Sequence, residues 1–315
     1  MEQTLLLITR DDERRAYEEH LRALNLAGLE ILAPKSEREL RDNLERATIM
    51  LAHPGLARRY INEAGSLRWV QSTFAGVDAL IAPDLRTDYI LTNVKETYGA
   101  VMAEWVFTYI LFFEREVREN LEAQAARIWA HHPYGSVAEK TLAIIGTGSI
   151  GRHIARVAQA FGMKTIGLNT SGAPADGFDE TFGPNERRNF LQRGDYVVSV
   201  LPSTPETRGC LNRALLEDLK PGVVLMNLGR GDAVVEEDLL IVLRQRQIKA
   251  VVLDVFSVEP LPKDSPLWDE PNLYLTPHVS GYSISQEIFR IFADNYRRFM
   301  AGNQLRYLVD FKRGY

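Results

Sequence analysis

Six near-continuous apolar runs occupy the second half of the chain: KTLAIIG (140–146), MKTIGL (163–168), YVVSVL (196–201), VVLMNL (223–228), AVVLDV (250–255) and NLYLTP (272–277). None alternates apolar with polar residues, as a strand with one wet face would. Strands this uniformly apolar are covered on both faces, which is the signature of a parallel sheet. Helical spacing fits between the runs, for example over 149–161 and 235–247.

The first ninety residues repeat the alternation, with strands expected at 5–9, 29–33, 48–53, 69–72 and 89–93 and helices at 12–24 and 37–46. A long helical segment is expected over 97–127. It ends at the breaker cluster His132-Pro133-Tyr134-Gly135, which reads as an arm or linker. Residues 282–300 read as helix and the tail YLVDFKRGY as extended chain. Strands alternating with helices imply βαβ units, so the fold class is α/β, with two doubly wound parallel-sheet domains.

A chain of 315 residues has room for two cores. Net charge is −5, and the arginine pairs (Arg14-Arg15, Arg58-Arg59, Arg187-Arg188, Arg297-Arg298) are scattered among acids. A nucleic-acid partner needs basic residues gathered on one face, so none is expected. The opening MEQTLLLITRDDERR has no basic leader pattern, and the longest apolar stretch, 105–113, is too short to span a bilayer. The single cysteine, Cys210, rules out an internal disulfide and fits a reducing cytoplasm, with an inert thiol. The six histidines show no ligand spacing, so no metal site is expected.

The turn in AIIGTGSIGR carries Gly146-x-Gly148-x-x-Gly151 between an apolar run and a helical pattern. Dinucleotide binding needs that context: Gly146 for the tight turn, Gly148 for backbone approach to a pyrophosphate, Gly151 for close helix–strand packing. Thr147, Ser149 and Ile150 complete the candidate phosphate turn, and the helix N-terminus offers free N–H groups to an anion. A purely structural βα turn is the bland alternative. The next run ends in Asn169, Thr170 and Ser171, with neither the usual ribose-binding acid nor an arginine. An absent acid removes repulsion against a 2′-phosphate, and these side chains could bond one, so the reading leans to NADP over NAD.

Three ionisable residues lie just beyond apolar runs: Arg230 in MNLGRGD, Glu259 in LDVFSVEPLP and His278 in LTPHVSG. Taken singly, each reads as a surface cation, a loop acid and a bystander imidazole. Ligands of open parallel sheets bind beyond the carboxyl ends of strands, which gathers all three on one rim. Gly229 and Gly231 read as small neighbours that let a ligand approach the backbone beside Arg230. Hydride transfer to a 2-oxo acid uses this set: a guanidinium for the carboxylate, an imidazolium as proton donor, and a carboxylate to hold the imidazole charged and oriented.

GTGSIGR, VLPSTPETRG, LKPGVVLMNLGRGDAVVEEDLL, VVLDVFSVEPLPKDSPLWDEPNLYLTPHVSG and, in the first domain, FAGVD together resemble the D-isomer-specific 2-hydroxyacid dehydrogenases. SPLW and VDFKRGY look most like the glyoxylate/hydroxypyruvate reductase A branch. The resemblance implies that Arg230 binds and polarises the substrate, that His278 is the general acid and that Glu259 pairs with it. It implies that Ala75 and Gly76 offer backbone N–H groups to the carboxylate. Asp254 would accept from the nicotinamide amide, although a structural strand-end acid fits too, and Leu201, Pro202, Thr207, Leu228, Gly229 and Ser280 would line the cofactor. A discontinuous substrate domain (1–96 with 281–315), a dinucleotide domain (97–280) and a homodimer built partly on 97–127 follow as expectations. The expected activity is NAD(P)H-dependent reduction of a small-molecule 2-oxo acid, glyoxylate or hydroxypyruvate. A larger or phosphorylated substrate, or a non-catalytic dinucleotide sensor, remain rivals.

Overall fold

The computed structural model describes every residue except Met1, His132, Arg246, 282–284 and Tyr315, with the side chain of Ser285 also left out. His132 of the expected breaker cluster and the expected helix start at 282–284 therefore lie outside the described residues. The chain divides into two compact units, residues 1–97 with 283–315, and residues 98–282.

The first unit is built on β1 (Gln3–Ile8), β2 (Leu29–Leu32), β3 (Ile49–Ala52), β4 (Trp69–Ser72) and β5 (Ile90–Thr92), in the order β2-β1-β3-β4-β5. Every pairing is parallel. Strand order reverses between β1 and β3, the flavodoxin-like arrangement with its crevice at their carboxyl ends. The C-terminal helix Ser285–Met300 belongs to this unit because the sheet has an apolar face to cover. Trp69, fully buried on β4, stacks on Phe292 at 5.3 Å between ring centroids. Buried polar groups beneath it are paired: Trp69 Nε1 donates to Thr92 Oγ1 at 2.8 Å, and Asn295 Nδ2 to Gln71 Oε1 at 3.1 Å. Such satisfied pairs fix the register of helix on sheet.

The second unit holds β6 (Thr141–Ile145), β7 (Lys164–Leu168), β8 (Glu180–Phe182), β9 (Tyr196–Ser199), β10 (Val224–Asn227), β11 (Ala250–Leu253) and β12 (Leu273–Leu275). Their order is β12-β11-β10-β9-β6-β7-β8, again all parallel. The order reverses between β6 and β9, the dinucleotide-binding topology. All four residues of β9, of β10 and of β11 are buried, as their unbroken apolar sequence demands.

Several expectations need correction. The segment 97–127 is two helices, Gly99–Glu114 and Val117–Ala125, because Glu116 takes a left-handed φ of 48°. Apolar periodicity stops at Phe113, so nothing holds a straight helix past it, and Asn120 Nδ2 donates to the Arg115 and Glu116 carbonyls at the break. Helix 37–46 is Glu37–Asn43 followed by a tighter turn, Leu44–Arg46. The short edge strand β8 was not expected; three residues give too little pattern. The tail is extended only to Asp310. There its carboxylate accepts the Lys312 and Arg313 N–H groups, and Gly314 N–H bonds the Asp310 carbonyl, which curls the chain into a turn. Among the described residues no helix is long and apolar enough to cross a membrane.

Candidate active site

The glycine turn after β6 has the shape the motif requires. Gly146 has φ +108°, a conformation a side chain would strain. A Cβ on Gly151 would sit 2.1 Å from the Gly146 carbonyl oxygen, so only glycine lets the helix Ser149–Ala160 start this close to the strand. A Cβ on Gly148 would meet nothing within 4 Å, so its backbone faces open space in front of the helix. That helix has no acid in its first turn and no side-chain cap, leaving its N–H groups and dipole available to an anion. The turn fits a dinucleotide phosphate. Thr147 Oγ1 accepts from Asn169 Nδ2 at 3.2 Å, tying the turn to the end of β7.

Asn169 is otherwise occupied in shaping its own loop. Its Nδ2 also donates to the Ala173 carbonyl at 2.9 Å, and its Oδ1 accepts from Ser171 N–H and Ser171 Oγ, each at 3.0 Å. Thr170, between them, is exposed. Beyond β9, Thr207 Oγ1 donates to the Pro202 carbonyl at 2.6 Å and accepts from Thr204 N–H at 2.8 Å, so its hydroxyl folds the 202–207 loop. Leu201 and Pro202 are half-buried there, and Leu228, at the end of β10, is buried.

Gly229 and Gly231 have a structural reason to be small. A Cβ on Gly229 would lie 2.5 Å from the Leu201 carbonyl oxygen, and one on Gly231 2.0 Å from the Phe256 carbonyl carbon. Protein backbone fills the space a Cβ would take at both. The loops after β9, β10 and β11 are thereby stacked in contact, with Arg230 held between its glycines in extended geometry (φ −138°, ψ 141°). Asn227 Nδ2 donates to the Arg230 carbonyl at 2.9 Å, and Arg230 Nη1 donates to the Gly229 carbonyl at 2.8 Å.

Glu259 and His278 come together from loops after β11 and β12. Glu259 Oε1 accepts Phe256 N–H at 3.0 Å, which aims its other oxygen, Oε2, at His278 Nδ1, 2.7 Å away. With Nδ1 engaged by a carboxylate, Nε2 is left to meet a substrate, and the His278 side chain is 51% exposed. His278 itself takes a left-handed φ of 54°, uncommon outside glycine. Asp254 holds it there. Fully buried at the end of β11, it accepts the Thr276 hydroxyl, Val279 N–H at 2.9 Å and Ser280 N–H at 2.9 Å, while its carbonyl takes His278 N–H at 2.8 Å. Asp254 and Ser280 thus shape the histidine loop. Thr276 shares that work and was not singled out from sequence, since a threonine before a proline carries no pattern. Tyr109, on the helix Gly99–Glu114, is raised above the ordinary phenol range by burial and then by the charge of Asp254. Burial likewise pushes the Cys210 thiol up, which disfavours the thiolate.

In the first unit, Ala75 and Gly76 follow β4. Asn93 Nδ2 donates to the Ala75 carbonyl at 2.8 Å, and among the described residues the N–H groups of Ala75 and Gly76 meet no protein acceptor. His53, directly after β3, was missed by sequence reasoning. Its ring lies edge-on to Phe74 at 4.8 Å, and its Nδ1 is buried without a partner.

Comparison with known proteins agrees with this geometry. Residues 107–280 match the D-isomer specific 2-hydroxyacid dehydrogenase family, NAD binding domain. The glyoxylate/hydroxypyruvate reductase A of Serratia proteamaculans is 33% identical over 84% of this chain and 85% of its own length. A D-isomer specific 2-hydroxyacid dehydrogenase family protein from Aeromonas salmonicida superposes with a TM-score of 0.92 at 42% identity, over 99% of this chain and 100% of that one. The NADPH-dependent glyoxylate/hydroxypyruvate reductase of Sinorhizobium meliloti, solved with NADP and sulfate, gives 0.91 at 30% identity over the full length of both. With a phosphate turn, a paired histidine and glutamate, and relatives of this kind, the chain belongs to the D-isomer-specific 2-hydroxyacid dehydrogenases, NAD(P)-dependent oxidoreductases of small 2-hydroxy and 2-oxo acids.

Proposed function

We propose that this protein reduces glyoxylate or hydroxypyruvate to the corresponding 2-hydroxy acid with NADPH. The single observation that carries the chemistry is the 2.7 Å contact between His278 Nδ1 and Glu259 Oε2. A sensor would need no such pair. The substrate class rests on the reductase names of the relatives, and the cofactor choice on two supports. Structural neighbours bind NADP or NADPH, and β7 ends in Asn169 and Thr170 with no carboxylate to repel a 2′-phosphate.

When bound, the reduced nicotinamide supplies the hydride. Arg230 binds the substrate carboxylate and polarises the carbonyl; Ala75 and Gly76, in the first unit, have N–H groups of the kind that donate to a carboxylate. His278, oriented by Glu259, gives its Nε2 proton to the forming alkoxide and recovers one from solvent through its exposed face. In oxidation the same nitrogen takes the proton. Acid–base help of this kind is worth about 10²–10⁴-fold. The protein acts in the cytosol, as its single reduced cysteine suits, and as a homodimer whose contact includes the exposed apolar residues Leu121, Ile128 and Trp129.

The test is loss of reduced-nicotinamide absorbance with NADPH or NADH and a panel of short 2-oxo acids. NADPH oxidation with glyoxylate and hydroxypyruvate is expected. A clear NADH preference overturns the cofactor assignment, and turnover of only larger or phosphorylated oxo acids overturns the substrate.

A further inference from the structure

The C-terminal helix Ser285–Met300 carries two cavities that meet at a pair of arginines. One, of about 250 Å³, is lined by Arg290, Ile291, Asp294, Arg297, Arg306 and Tyr307. The other, of about 400 Å³, shares Arg290 and Arg297 but is walled by His20, Ala23, Leu24, Phe289 and Ala293. All of these residues belong to the first unit. Arg290 and Arg297 stand two helical turns apart on one face, and the buried Ala293 between them is too small to fill the gap.

Guanidiniums outnumber carboxylates around the smaller cavity. Asp294 Oδ2 is shared by Arg298 Nε at 3.1 Å and Arg306 Nε at 3.3 Å, and Glu287 answers Arg290 at 2.8 Å. A third acid, Glu96, accepts the Tyr307 hydroxyl at 2.9 Å. Arg297 is exposed, and among the described residues its guanidinium has no ion pair or hydrogen bond. Arg306 is fixed through its backbone: its N–H donates to Asn295 Oδ1 at 2.8 Å and its carbonyl accepts from Asn295 Nδ2 at 3.1 Å, with Asn295 fully buried. Positive charge held around a concave space selects an anion, and planar guanidiniums suit a phosphate through paired hydrogen bonds. In the larger cavity the His20 ring stacks on Phe289, with centroids 5.0 Å and planes 6° apart, and its Nδ1 is tied to the Ala16 carbonyl at 2.7 Å. His20 is exposed, so its far face offers a flat ring a platform. Joined, the two cavities have the size of a small-molecule site.

We infer that the two cavities form one binding site for a phosphate monoester with a flat apolar body, its phosphate among Arg290, Arg297 and Arg306 and its ring against His20 and Leu24. The experiment is calorimetric titration of phenyl phosphate, inorganic phosphate and phenol into the protein saturated with NADPH, which keeps the probes out of the cofactor turn. Wild type should bind one phenyl phosphate per chain, about tenfold more tightly than inorganic phosphate, and phenol not measurably. Arg297→Gln and Arg306→Gln should each weaken phenyl phosphate about tenfold, the worth of a charged hydrogen bond, with melting temperature and oxo-acid turnover at the wild-type level. His20→Ala should weaken phenyl phosphate about fivefold and leave inorganic phosphate unchanged. No binding by wild type, or an affinity that neither arginine variant moves, overturns the site. Inorganic phosphate bound as tightly as phenyl phosphate overturns the ligand class and leaves an ion subsite only.

Discussion

A proton donor must be oriented and open on one side, and at His278, the donor proposed above, each condition traces to a particular neighbour. Glu259 supplies direction, and Asp254 supplies the loop that carries a left-handed histidine. His278→Ala should lower kcat by about 10²–10⁴-fold with little change in NADPH affinity measured by fluorescence; unaltered turnover removes it as the acid. Glu259→Gln keeps shape but not charge and should also slow reduction, though less. Arg230→Ala should raise KM for the oxo acid and reduce kcat together, and an effect confined to cofactor affinity would reassign it. These three were singled out in sequence because each follows an apolar run and together they suit one chemistry; of that set the structure brings Glu259 to His278. His53 was not, since a histidine after a four-residue strand says nothing until its ring is seen against Phe74. The tasks of Asn169 and Thr207 were equally hidden, because hydrogen bonds to nearby carbonyls leave no spacing signature.

Long elements were easier to foresee than short ones. β6, β7, β9, β10 and β11 came directly from uninterrupted apolar runs, whereas β8, three residues at the sheet edge, depends on contacts distant in sequence. Glu180 on β8 bonds Arg193 and, across the strand pair, Lys164 on β7. Arg193, then Lys164, hold its carboxyl at about 2, below the ordinary 4.5. A depressed folded value means the contribution is complete above 4.5 and disappears as pH falls through about 2. The group is largely exposed, so solvent screening limits it to under about 1 kcal/mol. Glu180→Gln should therefore melt slightly below wild type at neutral pH, and the gap should close on acidification between those values. A gap that stays constant with pH would show that the carboxylate charge contributes nothing at this edge. The break at Glu116 shows the converse limit: composition suggested one helix, but helical propensity does not keep a segment straight once its buried stripe ends.

At the level of the whole chain, two sheets, each with its own core, could be anticipated from alternation alone. The return of Ser285–Met300 to the first unit came instead from resemblance, and Trp69 stacked on Phe292 gives its physical reason. Leu121, on the helix Val117–Ala125, and Ile128 and Trp129, just beyond it, are 58%, 62% and 96% exposed. They are the residues proposed above for the dimer contact, since exposed apolar surface favours association. Light scattering should give twice the chain mass for wild type and the single-chain mass for Leu121→Asp combined with Trp129→Asp; a monomeric wild type would refute the dimer. The backbone contacts that wall in Gly229 and Gly231 bear on how such an enzyme diversifies. Arg230 sits between glycines that no bulkier residue can replace without moving backbone, so the carboxylate grip proposed for it has no room to vary through its immediate neighbours.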